Sequence, residues 1–223
     1  MLPLILIAPP QAGKGTLAKM IVDKYNIPHI STGELLRYEM EIGSDIGKLI
    51  TKKMNDGILI EDNIVTKLLK ERILKEDCKQ GFILDGYPRN ILQVDIYLNL
   101  MKEINRDPGV VINLFVDFEI LLNRVKGRLV CKDCGASFNI LSDNSIPKID
   151  GICDRCEGSL KKRSDDNEKV FKDRFDLYEE KTQPIIEYFK SKDIKVMELN
   201  SENKDIVFKE VENIISGNEI WLV

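Results

Sequence analysis

The feature that most constrains this chain is its start. An unbroken apolar run, Leu2 to Ala8, passes directly into Pro-Pro-Gln-Ala-Gly-Lys-Gly-Thr, ending at Thr16. A strand with one wet face alternates apolar and polar residues, whereas a continuous run reads as a strand buried on both faces of a parallel sheet. Gly13 to Lys24 then reads as a helix carrying Leu17, Met20 and Ile21 on one side. A buried strand, a glycine-rich turn and a helix make a site for an anion. The N–H groups of the first helical turn point outward and carry about half a positive charge. Lys14 adds a point charge for β- and γ-phosphates, and Thr16 a hydroxyl for Mg²⁺. Two positions depart from a phosphate-binding loop: Ala8 and Gln11 stand where glycine is usual.

The alternation continues. Helices are expected at 44–55, with Gly57 as a C-terminal cap, at 62–75, from an Asn90 cap to about 103, at 119–126, at about 166–190 and at 205–216. Strands are expected at 82–84 (leading to Asp85), 110–116 and 194–199. Ser31-Thr-Gly-Glu34 matches a capping box opening another helix. Strands alternating with helices imply an α/β fold, a doubly wound parallel sheet. Between about Arg128 and Arg163 periodic apolar residues thin out and four cysteines appear, which marks an insertion.

With 33 basic and 37 acidic residues the net charge is −4, so bulk charge gives no reason to expect a nucleic-acid partner. The N-terminal run lacks a basic flank and is too short for a signal or membrane segment, so no membrane association and a cytoplasmic location are expected. Five cysteines, an odd number, argue against a disulfide framework.

Three further motifs follow the loop: Ser31-Thr-Gly-Glu-Leu-Leu-Arg37; Asp85-Gly-Tyr-Pro-Arg89 with Gln93; and Arg163-Ser-Asp-Asp166. In order and spacing the set resembles the adenylate kinases, from Leu4 to about Ile215. The resemblance implies a P-loop core (1–30, 61–127 and 166–223), a small helical monophosphate-binding domain (31–60) and a lid (128–165) that closes over ATP. It implies phosphoryl transfer from Mg·ATP to AMP, giving two ADP, by a monomer. It assigns Gln11, Ala12, Gly13, Lys14, Gly15, Thr16, Arg124, Arg128, Asn200 and Glu202 to ATP. Thr32, Gly33, Arg37, Leu59, Ile60, Val65, Gly86, Arg89, Gln93, Arg163 and Arg174 go to AMP, with Gln93 reading the adenine edge. Lys14, Asp85, Arg89, Arg124, Arg163 and Arg174 are the implied catalytic set, Asp85 holding Mg²⁺ through water, and Asp165 and Asp166 the lid hinge. The chemistry agrees: transfer between two nucleotides gathers many negative charges, and arginine binds phosphate oxygens with a fork that stays protonated. Thr32 favours AMP over pyrimidine monophosphates.

Cys131-Lys-Asp-Cys134 and Cys153-Asp-Arg-Cys156 form CxxC–x18–CxxC, each pair followed by a glycine (Gly135, Gly158). This is a tetrahedral zinc pattern, with iron or a bare thiol cluster as the alternatives. Four protein ligands leave no open position, so the role is structural. A segment this small and polar needs such a crosslink. Cys78 reads as a free thiol, and His29 as a structural residue.

The resemblance is imperfect at four places. Besides Ala8 and Gln11, Asn200 stands at the glycine of the turn over the donor base, and Asn90 replaces a threonine as helix cap. Asn200 tolerates a left-handed backbone, which would preserve that turn. The tail Trp221-Leu-Val223 has no assignment. Two other readings stay open: a kinase with an altered donor such as GTP, and a nucleotide sensor with negligible turnover, the latter suggested by Gln11.

Overall fold

The computed structural model describes residues 2–56, 58–141, 145–162 and 166–217. In chain order the first half comprises β1 (Leu4–Ile7), α1 (Lys14–Tyr25), β2 (His29–Ser31), α2 (Thr32–Glu41), α3 (Asp45–Asn55), α4 (Asp62–Ile73), β3 (Ile83–Asp85), α5 (Ile91–Glu103), β4 (Val110–Phe115) and α6 (Phe118–Gly127). Three short strands follow: β5 (Arg128–Cys131), β6 (Ser137–Asn139) and β7 (Leu160–Lys161). The chain returns through α7 (Glu168–Leu177), α8 (Ile185–Ser191), β8 (Val196–Asn200) and α9 (Lys204–Ile215).

β2, β3, β1, β4 and β8 form one parallel sheet in that spatial order. Ile5 of β1 pairs with Leu84 on one side and Val111 on the other. Ile5 and Ile7 face one core with Leu84, Tyr97 and Phe189, while Leu4 and Leu6 face another with Leu17, Leu121 and Val211. Both faces of β1 are therefore sealed by helices, which is why its sequence does not alternate. All four residues of β1 are at most 2% exposed. Each such side chain contributes about 1.5–3 kcal/mol by burial, enough to fix the strand that delivers the phosphate loop. After β1 the chain builds outward to β3 and β2 on one side, and later to β4 and β8 on the other. The crevice at the carboxyl end of β1 is the switch point of the sheet, where open α/β sheets bind ligands.

α2 and α3 pack back to back. A Cβ on Gly47 would come within 2.0 Å of the Glu39 carbonyl oxygen, so this contact needs a residue with no side chain. Ser31 and Asn90 cap as the sequence predicts, accepting from the backbone N–H groups of Glu34 and Gln93, and Ser44, expected inside its helix, is instead the cap of α3, accepting from Gly47. Gly57 lies outside the described residues, and α3 closes at Asp56.

The single helix expected over 166–190 is two. α7 runs into a π-helical turn, Tyr178–Thr182, before α8 begins. Pro184 is the physical reason: it has no N–H to give and its ring crowds the carbonyl four residues back. β2 and β5–β7 are too short to show a period and escape the sequence reading.

β6, β5 and β7 form a separate antiparallel sheet. Among the described residues its core is Cys131, Ala136, Cys153 and Leu160, with Leu129, Cys134 and Phe138 against it. Among the described residues, no helix is long and apolar enough to cross a membrane.

Candidate active site

The loop after β1 wraps back on itself. Gly13, the N-cap of α1, has φ +92, a conformation an L side chain resists. The Lys14 ammonium donates to the Ala8 carbonyl at 2.9 Å and the Pro9 carbonyl at 3.3 Å. Lys14 as a residue keeps some exposure, but its charged end is turned inward. Burial lowers its pKa to about 8; Asp85 opposes this, while Arg89, Arg174 and Arg128 add to it. Gly15 and Thr16 are exposed on the first turn of α1, and Ala12 is buried beneath the loop.

Asp85 ends β3, in register with Leu6 of β1 and Ser31 of β2. Burial alone would raise its carboxyl. Contact with His29 and the charges of Lys14 and Arg89 outweigh burial and hold it below the usual carboxylate range. His29 Nε2 lies 3.3 Å from Asp85 Oδ2, a charge contact without hydrogen-bond alignment. The sequence reading missed this partner, because the pairing of β2 with β3 places His29 beside Asp85 and no local pattern announces it.

The turn after Asp85 is built around Gly86, at φ +79. A Cβ there would lie 2.9 Å from Thr32 Oγ1 and 3.0 Å from Arg89 Nη2. Thr32 donates to the Gly86 carbonyl at 2.8 Å, and Arg89 Nε donates to the same carbonyl at 2.8 Å. Arg89 is half-buried, with its guanidinium turned in among cations. Burial, then Arg174, lowers its pKa to about 10, with Asp85 opposing and Arg37 adding to the shift. Gln93 Oε1 accepts from the Arg89 backbone N–H at 2.7 Å, and its Nε2 donates to Asp62. Asn90 Nδ2 donates to both oxygens of Asp62, at 3.1 and 3.2 Å. Each end of the Gln93 amide thus has a protein partner, with one N–H and one lone pair still to offer.

Ala8, Lys14, Leu59, Gly86, Arg89 and Arg174 line one cavity, which Tyr178 and Thr182 of the π turn close. Thr182 Oγ1 donates to the Arg89 carbonyl at 3.0 Å. Gly33 packs against the Arg37 guanidinium, while Ile60 and Val65 are buried in the core beside it. On the other flank, Arg124 donates to the carbonyls of Gln11 (3.3 Å), Ser201 (2.9 Å) and Glu202 (3.1 Å). Asn200 does not take a left-handed backbone. It makes the turn with its side chain, Oδ1 accepting from the Glu202 N–H at 2.9 Å, the turn chemistry asparagine is suited to. Arg128 and Asp166 meet at 3.4 Å. Arg163 and Asp165 lie outside the described residues, as does the tail 218–223.

Gln11 sits at φ +68, the conformation that favours glycine at this position. Its amide does not reach into the loop; Nε2 donates to Asp166 Oδ1 at 3.1 Å.

The sulfur atoms of Cys131, Cys134, Cys153 and Cys156 all lie within 4.8 Å of one another. Cys131 and Cys156 approach at 3.5 Å and Cys134 and Cys153 at 3.6 Å. A tetrahedral site with metal–sulfur bonds of about 2.3 Å sets its sulfurs about 3.8 Å apart, so the cluster fits one metal ion. Within the cluster the Cys134 N–H foremost lowers the Cys131 thiol, while the Cys134 and Cys156 thiols are raised, so the cluster resists carrying several negative charges without a cation among them. Gly158 lies against the Asp133 carboxylate, which would have to swing aside for a Cβ there. The cysteine module touches α1: Lys19 donates to the Cys134 carbonyl at 3.2 Å, and Arg155 pairs with Asp23 at 3.3 Å.

A family model described as adenylate kinase matches residues 6–194. The chain belongs to the adenylate kinase family. It is 42% identical over 213 residues to an adenylate kinase of Methanosarcina mazei, covering 96% of this chain and 98% of that one. An adenylate kinase of Caldanaerobacter subterraneus subsp. tengcongensis is 39% identical over 214 residues, 96% of each chain. One of Clostridioides difficile is 41% identical over 211 residues, 93% of this chain and 95% of its own. As a member of the adenylate kinase family the chain is a nucleotide-binding kinase that phosphorylates AMP from ATP.

Proposed function

We propose that the chain transfers the γ-phosphoryl group of Mg·ATP reversibly to AMP, giving two ADP, and that the cavity at the carboxyl end of β1 is where this happens. The observation that carries the reading is the mutual suppression of cations. Lys14 is held at about 8 and Arg89 at about 10, each by burial and by neighbouring positive groups. Cations held below their usual values and lining one cavity mark a functional site that an anion of high charge would complete.

The loop from Gln11 to Thr16 receives the donor phosphates on its backbone N–H groups, with Lys14 as point charge. Asp85, ionised and beside Lys14, orients the Mg²⁺ that enters with ATP, and Thr16 offers its hydroxyl. Arg124 and Arg128, with the turn at Asn200 and Glu202, form the donor flank. Arg37 and Arg89 hold the acceptor phosphate, Arg163 and Arg174 reach the transferring group, and Thr32, Gly33, Leu59, Ile60, Val65 and Gly86 shape the acceptor pocket. Gln93 presents its remaining N–H and lone pair to the acceptor base, with the amide's direction set by Asp62 and the Arg89 N–H. The acceptor is itself a phosphate oxygen, so no strong general base is needed; alignment and charge stabilisation suffice. Residues 31–60 act as the monophosphate-binding domain and 128–165 as a lid on the core, with Asp165 and Asp166 at its hinge. The four cysteines hold a structural zinc, which crosslinks a lid with too little core to fold alone. The protein works as a cytoplasmic monomer, without nucleic acid or membrane partners.

A coupled assay tests this. ADP formation that requires both ATP and AMP is expected; ATP consumption that ignores AMP would overturn it. Replacing ATP by GTP in the same assay decides donor preference, and tight nucleotide binding without turnover would identify a sensor.

A further inference from the structure

Gln11 occupies a position whose backbone, at φ +68, would suit glycine, so an L side chain there is strained. Two bonds hold it in place. Its carbonyl accepts from Arg124 Nη1 at 3.3 Å, and its amide Nε2 donates to Asp166 Oδ1 at 3.1 Å. The same oxygen accepts from Arg128 Nη1 at 3.4 Å. The Asp166 side chain is 1% exposed, so this carboxylate depends on its protein partners. Arg128 opens β5, by which the chain enters the cysteine module, and Asp166 precedes Asn167, the cap of α7, where the chain has left it. One buried oxygen therefore joins the phosphate loop to both roots of the lid.

We propose that Gln11 is a positioning residue: through Asp166 it fastens the phosphate loop to the lid root, presetting the loop for the donor phosphates and linking that geometry to lid position. Glycine would accept the same φ and make no such link, so the fastening belongs to the glutamine. The inference rests on the kinase reading, with ATP as the ligand of this loop. It predicts a defect confined to the donor, because the described hydrogen bonds of Gln11 run to Asp166 and Arg124, on the donor flank.

The test compares full-length wild type with Gln11→Gly, which removes the amide and relaxes the backbone. Gln11→Asn keeps the amide and tolerance of positive φ but is one methylene too short. Initial rates are measured with ATP and AMP varied separately. Backbone hydrogen exchange over residues 128–131 and 166–170 is followed without nucleotide. A hydrogen bond to a charged buried group is lost, so the KM for ATP is expected to rise about tenfold in both variants, with the KM for AMP within about twofold and hinge exchange faster. In an Asp166→Ala background, Gln11→Gly adds nothing further; Asp166→Leu, of similar volume and with no acceptor, closes the same cycle if Asp166→Ala does not fold. An unchanged KM for ATP, equal rises in both KM values, or a Gln11 effect undiminished without Asp166 overturns the proposal, the last pointing to direct phosphate contact. Failure of the kinase reading shows instead as a wild type without AMP-dependent ADP formation, and hinge exchange still decides whether the fastening exists.

Discussion

The lowered pKa of Lys14 makes donor binding depend on pH in a calculable way. Free in the folded protein, its ammonium titrates near 8. Bound to a polyphosphate it is held protonated, so binding takes up a proton wherever the free form has lost it. A phosphate's second ionisation, near 6, is about nine-tenths complete by pH 7, and the Arg89 guanidinium, though lowered to about 10, stays largely protonated up to pH 9. Between pH 7 and 9 the protonated fraction of Lys14 falls from about 0.9 to about 0.1. If ATP binds only that form, its dissociation constant rises about tenfold, or about 1.4 kcal/mol. Calorimetry at constant ionic strength, in buffers of different ionisation enthalpy, should show uptake of about half a proton at pH 8. In Lys14→Met binding should be much weaker and the pH slope absent. Folding carries a linked sign. The unfolded lysine titrates at 10.5, so between about 8 and 10.5 the unfolded chain holds a proton that the folded one has released. This group therefore favours the folded state increasingly as pH climbs through that window, and penalises it fully below. A flat affinity profile from pH 7 to 9, or an equal slope in Lys14→Met, would refute the reasoning.

Other expectations follow from single contacts. Arg89→Lys keeps the charge but loses the fork that anchors Nε to Gly86; the KM for AMP should rise about tenfold, and an unchanged value in initial-rate kinetics contradicts the role. Gly47→Ala drives a methyl into the Glu39 carbonyl and should destabilise the α2–α3 pair by about 1–3 kcal/mol, read by urea unfolding; a neutral result means that the helices do not meet as described. Stripping metal from the cysteine cluster, or Cys153→Ser, should lower the melting temperature and speed hydrogen exchange over β5–β7 while sparing β1 and β4, and superimposable melting curves rule out a structural metal. His29 is opposed by burial, yet its contact with Asp85 leaves its pKa raised. The stability it adds is complete below pH 6.5 and fades as pH climbs through the folded value, so His29→Gln should flatten the stability profile there, and an unaltered profile excludes the pair.

The sequence is legible where chemistry is local. Leu4 to Thr16 shows its strand, turn and helix because both faces of β1 are buried and the turn must open a helix. Ser31 and Asn90 announce their helices through side chains that reach only three residues ahead. The CxxC pairs announce their cluster by spacing. What stays hidden depends on elements meeting across the chain. His29 faces Asp85 only because β2 adds to β3. The Gln11 amide finds Asp166 only because the chain leaving the cysteine module returns beside the loop. The Asn200 turn shows the same limit on a smaller scale: the residue type suggested positive φ, and the chain used its side-chain oxygen instead.

The contact between Arg128 and Asp166 has a consequence for how this chain tolerates change. Everything between them leaves and rejoins the core at one point, so its two ends are already closed into a loop. Closure entropy grows only as the logarithm of loop length, each doubling costing about 0.6 kcal/mol. The core therefore registers the presence of the insertion far more than its size. The segment can lengthen, shorten or exchange its cysteine cluster for another crosslink without disturbing the sheet, provided that its two ends still meet at that carboxylate.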